Sequence, residues 1–263
     1  MSRLTTRRIA VALSLAAAGV TGVVFATTSS AATKITMISI GDSYSSGAGV
    51  PQYINPACKR TPNSFLANYA SSRTQEFTFL ACANADTTGT AAQLARIKDN
   101  PGADLVTFSA GADDIRLFQA VATCAEKDEA ACLAAVDEAG EAAGNALPAA
   151  LDELYDDIHT GNPDAAVVTF GYPRLFETDG SCPDDIDLSD AERTAVNGLV
   201  DKLDLVLAAR AEAAGATFVD PRERFAGHGL CGADPWVDAA TLAPNKLGNN
   251  EYLEALIAAT PAG

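Results

Sequence analysis

The chain has 263 residues, of which 18 are Lys or Arg and 34 are Asp or Glu, giving a formal net charge of −16. That acidity argues against binding nucleic acid or an anionic membrane by simple electrostatics, since phosphate would be repelled. Six cysteines against two histidines point to disulfides rather than to a metal site.

Residues 1–32 carry Arg3, Arg7 and Arg8, then an apolar run over 9–26, then a small and polar exit at 27–32. This is the three-part pattern of a signal peptide, with Ser30 and Ala32 suiting a peptidase that takes small side chains before the cut. An uncleaved anchor is the alternative, because the run is nearly long enough to span a bilayer. Its Gly and Thr interruptions favour cleavage. The Arg7-Arg8 pair leaves Sec and twin-arginine export both open. Removing the segment takes the formal charge from −16 to −19 and leaves residues 33–263, a length suited to a single domain with a substantial core. No repeat or linker interrupts it. In an oxidising setting the six cysteines read as three bridges, for which fifteen connectivities exist in principle. Neighbours in sequence suggest Cys58 with Cys82, Cys124 with Cys132, and Cys182 with Cys231. No pair has the two-residue spacing of a zinc knuckle, so no metal is expected.

The run 34–40 (KITMISI) is β-branched and apolar and stops at Gly41-Asp42-Ser43, as a buried strand should. Similar runs lie at 77–80, 104–109, 165–170 and 217–219. Between them the pattern predicts helices. Asn63 or Ser64 caps one that runs through Tyr69, a short one covers 91–97, and a long Ala-rich acidic one covers 114–143. Residues 147–158 place Leu147, Leu151, Leu154, Tyr155 and Ile158 on one face. The stretch 189–214 opens on Ser189 and stops at Gly215. Five strands alternating with helices imply a three-layer αβα fold around a central five-stranded parallel sheet. Sites in such folds sit at the carboxyl ends of the strands.

After the first strand, Gly41-Asp42-Ser43-Tyr44-Ser45-Ser46-Gly47 forms a small-residue turn able to present a hydroxyl at the sheet edge. Gly111-Ala112-Asp113-Asp114 follows the third strand, and Gly171-Tyr172-Pro173-Arg174 the fourth. Phe225-Ala226-Gly227-His228 leads towards Cys231 and Trp236. With the cysteine layout, this ordered set resembles the SGNH hydrolases, or GDSL esterases and lipases, and among them the secreted bacterial three-disulfide lipases. The resemblance spans essentially the whole of 33–263 and implies an SGNH, flavodoxin-like fold. It also implies carboxylic ester hydrolysis with no metal or organic cofactor, acting on an acyl ester, a lipid or an acylated glycan. A secreted monomer without nucleic acid as partner is expected.

Carried over residue by residue, the resemblance gives an uneven site. Ser43 takes the nucleophile position, and its amide would serve the oxyanion hole. Asn84 stands where the family has an oxyanion-binding glycine; asparagine tolerates left-handed backbone, so the amide can survive. Asp113 replaces an asparagine that donates to the oxyanion, and a carboxylate donates only when protonated. Capping of the following helix is an alternative role for Asp113. Ala243, in Leu242-Ala243-Pro244, occupies the position of the catalytic histidine, and Ala240 that of its acid partner. Of the two histidines, His159 reads as a solvated residue near a helix end. His228 is the candidate substitute base, although the same segment occurs in family members that keep the usual histidine. The expectation is strongly reduced hydrolysis or none. The alternatives are a non-catalytic binding protein using the cleft and an active esterase using His228. Loops 53–62 and 178–189 are expected to shape the cleft and so select acyl length and leaving group.

Overall fold

The structure, a computed structural model, describes residues 34–97, 102–179, 182 and 186–260; the expected signal-peptide segment 1–32 lies outside them, as do 180–181 and 183–185 of the expected cleft loop. Strands β1 (Ile35–Ser39), β2 (Thr74–Phe79), β3 (Leu105–Phe108), β4 (Ala166–Phe170) and β5 (Thr217–Val219) form one sheet in the order β2-β1-β3-β4-β5, every pair parallel. From β1 the chain crosses first to one side and then returns past it to β3. That reversal opens a crevice at the carboxyl ends of β1 and β3.

Helices α1 (Ser43–Ser46), α2 (Phe65–Arg73), α3 (Thr87–Leu94), α4 (Leu117–Glu126), α5 (Glu129–Asn145), α6 (Leu147–Gly161), α7 (Asp190–Ala213) and α8 (Lys246–Ala259) cover the sheet. On one face α2 packs on α8, and Phe65, Phe170 and Tyr252 meet edge to face or tilted. On the other, α6 packs on α3, α5 and α7, and Phe108 meets Tyr155. β3 is buried throughout, as a parallel strand covered on both faces must be. The result is a three-layer α/β fold around a five-stranded parallel sheet.

Several boundaries differ from the sequence pattern for local reasons. The helix expected over 114–143 is two helices, because Asp128 accepts from the Ala131 amide at 2.9 Å and caps a new start. The helix expected over 91–97 begins earlier, at Thr87, where Asp86 accepts from the Gly89 amide at 2.7 Å. β2 starts at Thr74, three residues before the apolar run, since an edge strand can expose its first half. Of the two candidate caps for α2, Ser64 is the one used. Ser189 and Glu192 form a capping box at α7. The bridges are Cys58–Cys82, Cys124–Cys132 and Cys182–Cys231, with Cα separations of 4.1, 4.3 and 4.1 Å.

Candidate active site

The exit of β1 passes so close to the end of β3 that a Cβ on Gly41 would lie 2.4 Å from the Ser109 carbonyl oxygen, and Gly41 also has φ +112°. Only glycine serves there. Asp42 then caps α1 by accepting from the Tyr44 amide at 2.9 Å, which sets Ser43 as the first helical residue. Ser43 is 7% exposed, and its Oγ has no hydrogen-bond partner among the described residues. A buried hydroxyl without a partner loses the hydration it would have in water.

Beneath Ser43 lies a buried polar network. Ser109 Oγ donates to Asp42 Oδ1 at 2.5 Å, and the Tyr172 hydroxyl donates to Asp42 Oδ2. With the Ser109 proton committed, Ser45 Oγ donates to Ser109 Oγ at 2.8 Å. The Tyr172 amide donates to Asp204 at 2.9 Å, carrying the network to α7. Gln93 of α3 brackets Gly41, accepting from its amide at 2.8 Å and donating to its carbonyl at 2.9 Å. Burial pushes the Asp42 carboxyl up to about 6, against the opposing hydrogen bonds from Ser109, Tyr172 and the Tyr44 and Ser45 amides. Burial also pushes Asp204 well up, with Arg222 opposing.

Asn84 has φ +65°, inside the left-handed region that asparagine tolerates. Its loop is held by the Cys58–Cys82 bridge and by the Ala83 amide donating to the Cys58 carbonyl at 3.0 Å. After β3, Asp114 accepts from Thr87 Oγ1 at 2.6 Å and so ties this loop to the start of α3. Asp113 does not cap the next helix: α4 opens from Arg116, at φ +58°, without a side-chain cap. The capping role is thereby corrected. Asp113 Oδ2 is instead buried without a partner among the described residues. Burial, aided by the charges of Asp42, Asp114 and Asp86, pushes its carboxyl up to about 7.

The segment expected to hold the histidine position lies against α1 and the turn that follows it. The Tyr44 hydroxyl donates to the Leu242 carbonyl at 2.7 Å, and a Cβ on Gly49 would lie 2.4 Å from the Pro244 carbonyl oxygen. Ala243 is fully buried there. His228 is engaged elsewhere: Nδ1 donates to the Asp234 carbonyl at 2.8 Å, and the ring stacks on Trp236 with centroids 3.5 Å apart at 9°. It makes no hydrogen bond to Ser43. His159 sits in the last turn of α6 but is tethered, with Nε2 3.1 Å from the Ala214 carbonyl. Beside the Leu242 segment a cavity of about 230 Å³ is lined by apolar side chains that include Phe118, Val121, Phe176, Leu188, Leu230 and Ala240.

Sequence motifs pointed to Ser43, Asn84, Asp113 and Ala243, and three strand ends and the α8 entry bring their loops together. They did not point to Gln93, Ser109 or Asp204. A polar Gln93 on the buried face of an otherwise small-residue helix was the one available signal.

The family model of the GDSL-like lipase/acylhydrolase family matches residues 39–250. A lipase from Streptomyces rimosus is 40% identical over 209 residues, covering 78% of this chain and 76% of its own. Lipase 1 of Streptomyces coelicolor is 36% identical over 226 residues, covering 84% and 82%. The crystal structure of the extracellular lipase from Streptomyces rimosus superposes with a TM-score of 0.81 at 37% identity, covering 86% of this chain and 99% of that one. That of phospholipase A1 from Streptomyces albidoflavus gives 0.79 at 31% identity, covering 87% and 100%. The family model covers most of the chain, and these relatives match most of it at more than 30% identity, so the chain belongs to the GDSL-like lipase/acylhydrolase family of lipase- and esterase-class SGNH hydrolases.

Proposed function

We propose that this is an exported, monomeric member of the family whose cleft still receives an acyl ester, a lipid or an acylated glycan but whose hydrolysis is severely reduced. Residues 1–32 are its signal peptide and 33–263 its single domain. The observation that carries the reading is the Ser43 hydroxyl, buried and without a hydrogen-bond partner, beside a segment in which Ala243 supplies no imidazole. Serine without a base is a weak nucleophile. Losing a triad member in a serine protease lowers turnover by about 10⁴- to 10⁶-fold. Losing one oxyanion donor costs about 10²- to 10³-fold, and an ionised Asp113 would add repulsion. Export is supported by the three disulfides and by the extracellular relative.

The test is hydrolysis of short and medium chromogenic esters by the purified protein beside Ser43→Ala, with fluorophosphonate labelling of Ser43 as a second measure. The expected outcome is turnover near that of the Ser43→Ala control and slow labelling. Robust turnover that vanishes in the control would overturn the reading and return His228 as the base.

A further inference from the structure

The charge of the chain is unevenly spread. Acids make up 34 of 263 residues, about one in eight, yet 43–75 and 239–250 contain none. These two stretches meet in one rim beside the crevice. A Cβ on Gly49 would lie 2.4 Å from the Pro244 carbonyl oxygen, and the Phe65 amide donates to Asn249 Oδ1 at 3.0 Å, so α2 and α8 begin side by side. Neither helix has an acid in its first turn, where the dipole would favour one, and α8 opens on Lys246 instead. Among the described residues Lys59, Arg60 and Lys246 have no carboxylate partner. The acids that border the rim are engaged: Asp238 accepts from the Thr241 amide at 2.9 Å, and Glu251 pairs with Arg224 at 3.3 Å.

The same rim exposes apolar side chains. Ile54 is 65% exposed and Leu247 46%, two of the three large apolar residues that stand out into solvent among the described residues. Pro51, Pro56, Ala57 and Pro62 are exposed in the loop that carries Ile54. That loop is held out rather than collapsed. The Ile54 amide donates to the Arg60 carbonyl at 2.8 Å, Arg60 Nε and Nη1 donate to the Ala81 and Phe79 carbonyls at 2.9 and 2.6 Å, and the Cys58–Cys82 bridge ties its base. Apolar tips with cations beside them and no acid complement a surface whose anionic layer covers an apolar interior.

We infer that this rim docks on a phospholipid surface carrying anionic headgroups, with Ile54 and Leu247 entering the acyl boundary, Lys59 and Lys246 at the headgroup phosphates, and Arg60 adding to the local positive potential. The net charge of −16 does not forbid this. At 0.1 M salt the Debye length is about 10 Å, so a bilayer meets the charges of the rim rather than those of the whole chain. Each Lys or Arg close to an anionic leaflet strengthens partition about fivefold. Docking requires no chemistry at Ser43, and so stands whichever way the ester assay falls.

The experiment is co-sedimentation of the purified protein with vesicles of phosphatidylcholine alone, or of equal parts phosphatidylcholine and phosphatidylglycerol, at low salt. Stronger partition onto the mixed vesicles is expected, and the preference should vanish at 1 M salt, where the Debye length is about 3 Å. Ile54→Ser combined with Leu247→Ser should weaken binding to the mixed vesicles at least about tenfold, through lost apolar burial. Lys59→Gln combined with Lys246→Gln should weaken it at least about tenfold there and change little on phosphatidylcholine alone. Mixed vesicles should also slow hydrogen exchange at 52–60 and 245–248 in the unaltered protein, a measure that needs no variant. Absence of binding to the mixed vesicles, binding unchanged in both folded double variants, or no slowing at those two segments would overturn the inference. So would a concentration-dependent dimer that the Ile54→Ser and Leu247→Ser pair abolishes, since the rim would then be an interface between two copies.

Discussion

On the proposed reading Ser43 keeps the position of a nucleophile while Asp113 and Ala243 stand where an oxyanion donor and a base are expected, so chemistry should be recoverable at single positions. Ala243→His combined with Asp113→Asn is expected to raise kcat/KM on short esters by at least about 10²-fold, since it restores both a base and a donor. Ala243 is fully buried, so the imidazole must find room, and a destabilisation of about 1–3 kcal/mol is expected alongside the gain. No gain in a folded double variant would mean that the cleft has been reshaped beyond these positions. The residues of the proposed site were legible in sequence, because the motifs that name them are residue identities at fixed offsets after the strands. The state of Asp113 was not. An aspartate reads alike whether it caps a helix in water or lies half-buried among Asp42, Asp86 and Asp114, and only the fold brings those acids together. His228 has the right chemistry, yet its stacking on Trp236 and bond to the Asp234 carbonyl depend on a turn that sequence did not disclose.

Among the elements, strands were legible because burial on both faces makes them short apolar runs, and β2 was truncated because its exposed edge half is polar. The joint between α4 and α5 was readable in retrospect, since Lys127-Asp128-Glu129 places a cap and an acidic first turn together. Here the disulfides act with unequal weight. Cys124–Cys132 closes a separation of 8 residues and Cys182–Cys231 one of 49. On the chain-entropy model the first is worth about 2.5 kcal/mol and the second about 4. Replacing both cysteines of each pair by alanine in turn should therefore lower the unfolding free energy in that order, as read by urea denaturation. A larger loss from the α4–α5 bridge would show that it holds native packing rather than restraining the unfolded chain. At the start of α7, Ser189→Ala removes one half of a capping box and should cost about 1 kcal/mol in the same assay.

Over the whole molecule, the buried acids set how stability follows pH. Asp42 and Asp113 are pushed up to about 6 and about 7, and Asp114 and Asp204 are also raised, burial leading in each case. A carboxyl whose folded pKa lies above its unfolded value binds its proton more tightly when folded. The stability it contributes is full below the unfolded value near 4 and is lost as pH rises through the folded one. Asp220 has the opposite sign: burial pushes it up, but its hydrogen bonds from Arg222 outweigh this and hold it low, so its contribution is lost as pH falls below about 4. The stability maximum is thus expected on the acid side, between about pH 4 and 6, with a decline towards pH 8. The net charge of −16 pushes the same way, since the acid surface repels itself as it ionises. Salt separates the two, because a Debye length of about 3 Å at 1 M screens surface repulsion while leaving buried groups largely untouched. Thermal unfolding at pH 5 and pH 8 should differ in favour of pH 5 even at 1 M salt. Asp113→Asn should narrow that difference by raising the pH 8 value, as asparagine stays neutral at both. A wild-type protein more stable at pH 8 in high salt would mean that these carboxyls are not held neutral by the fold.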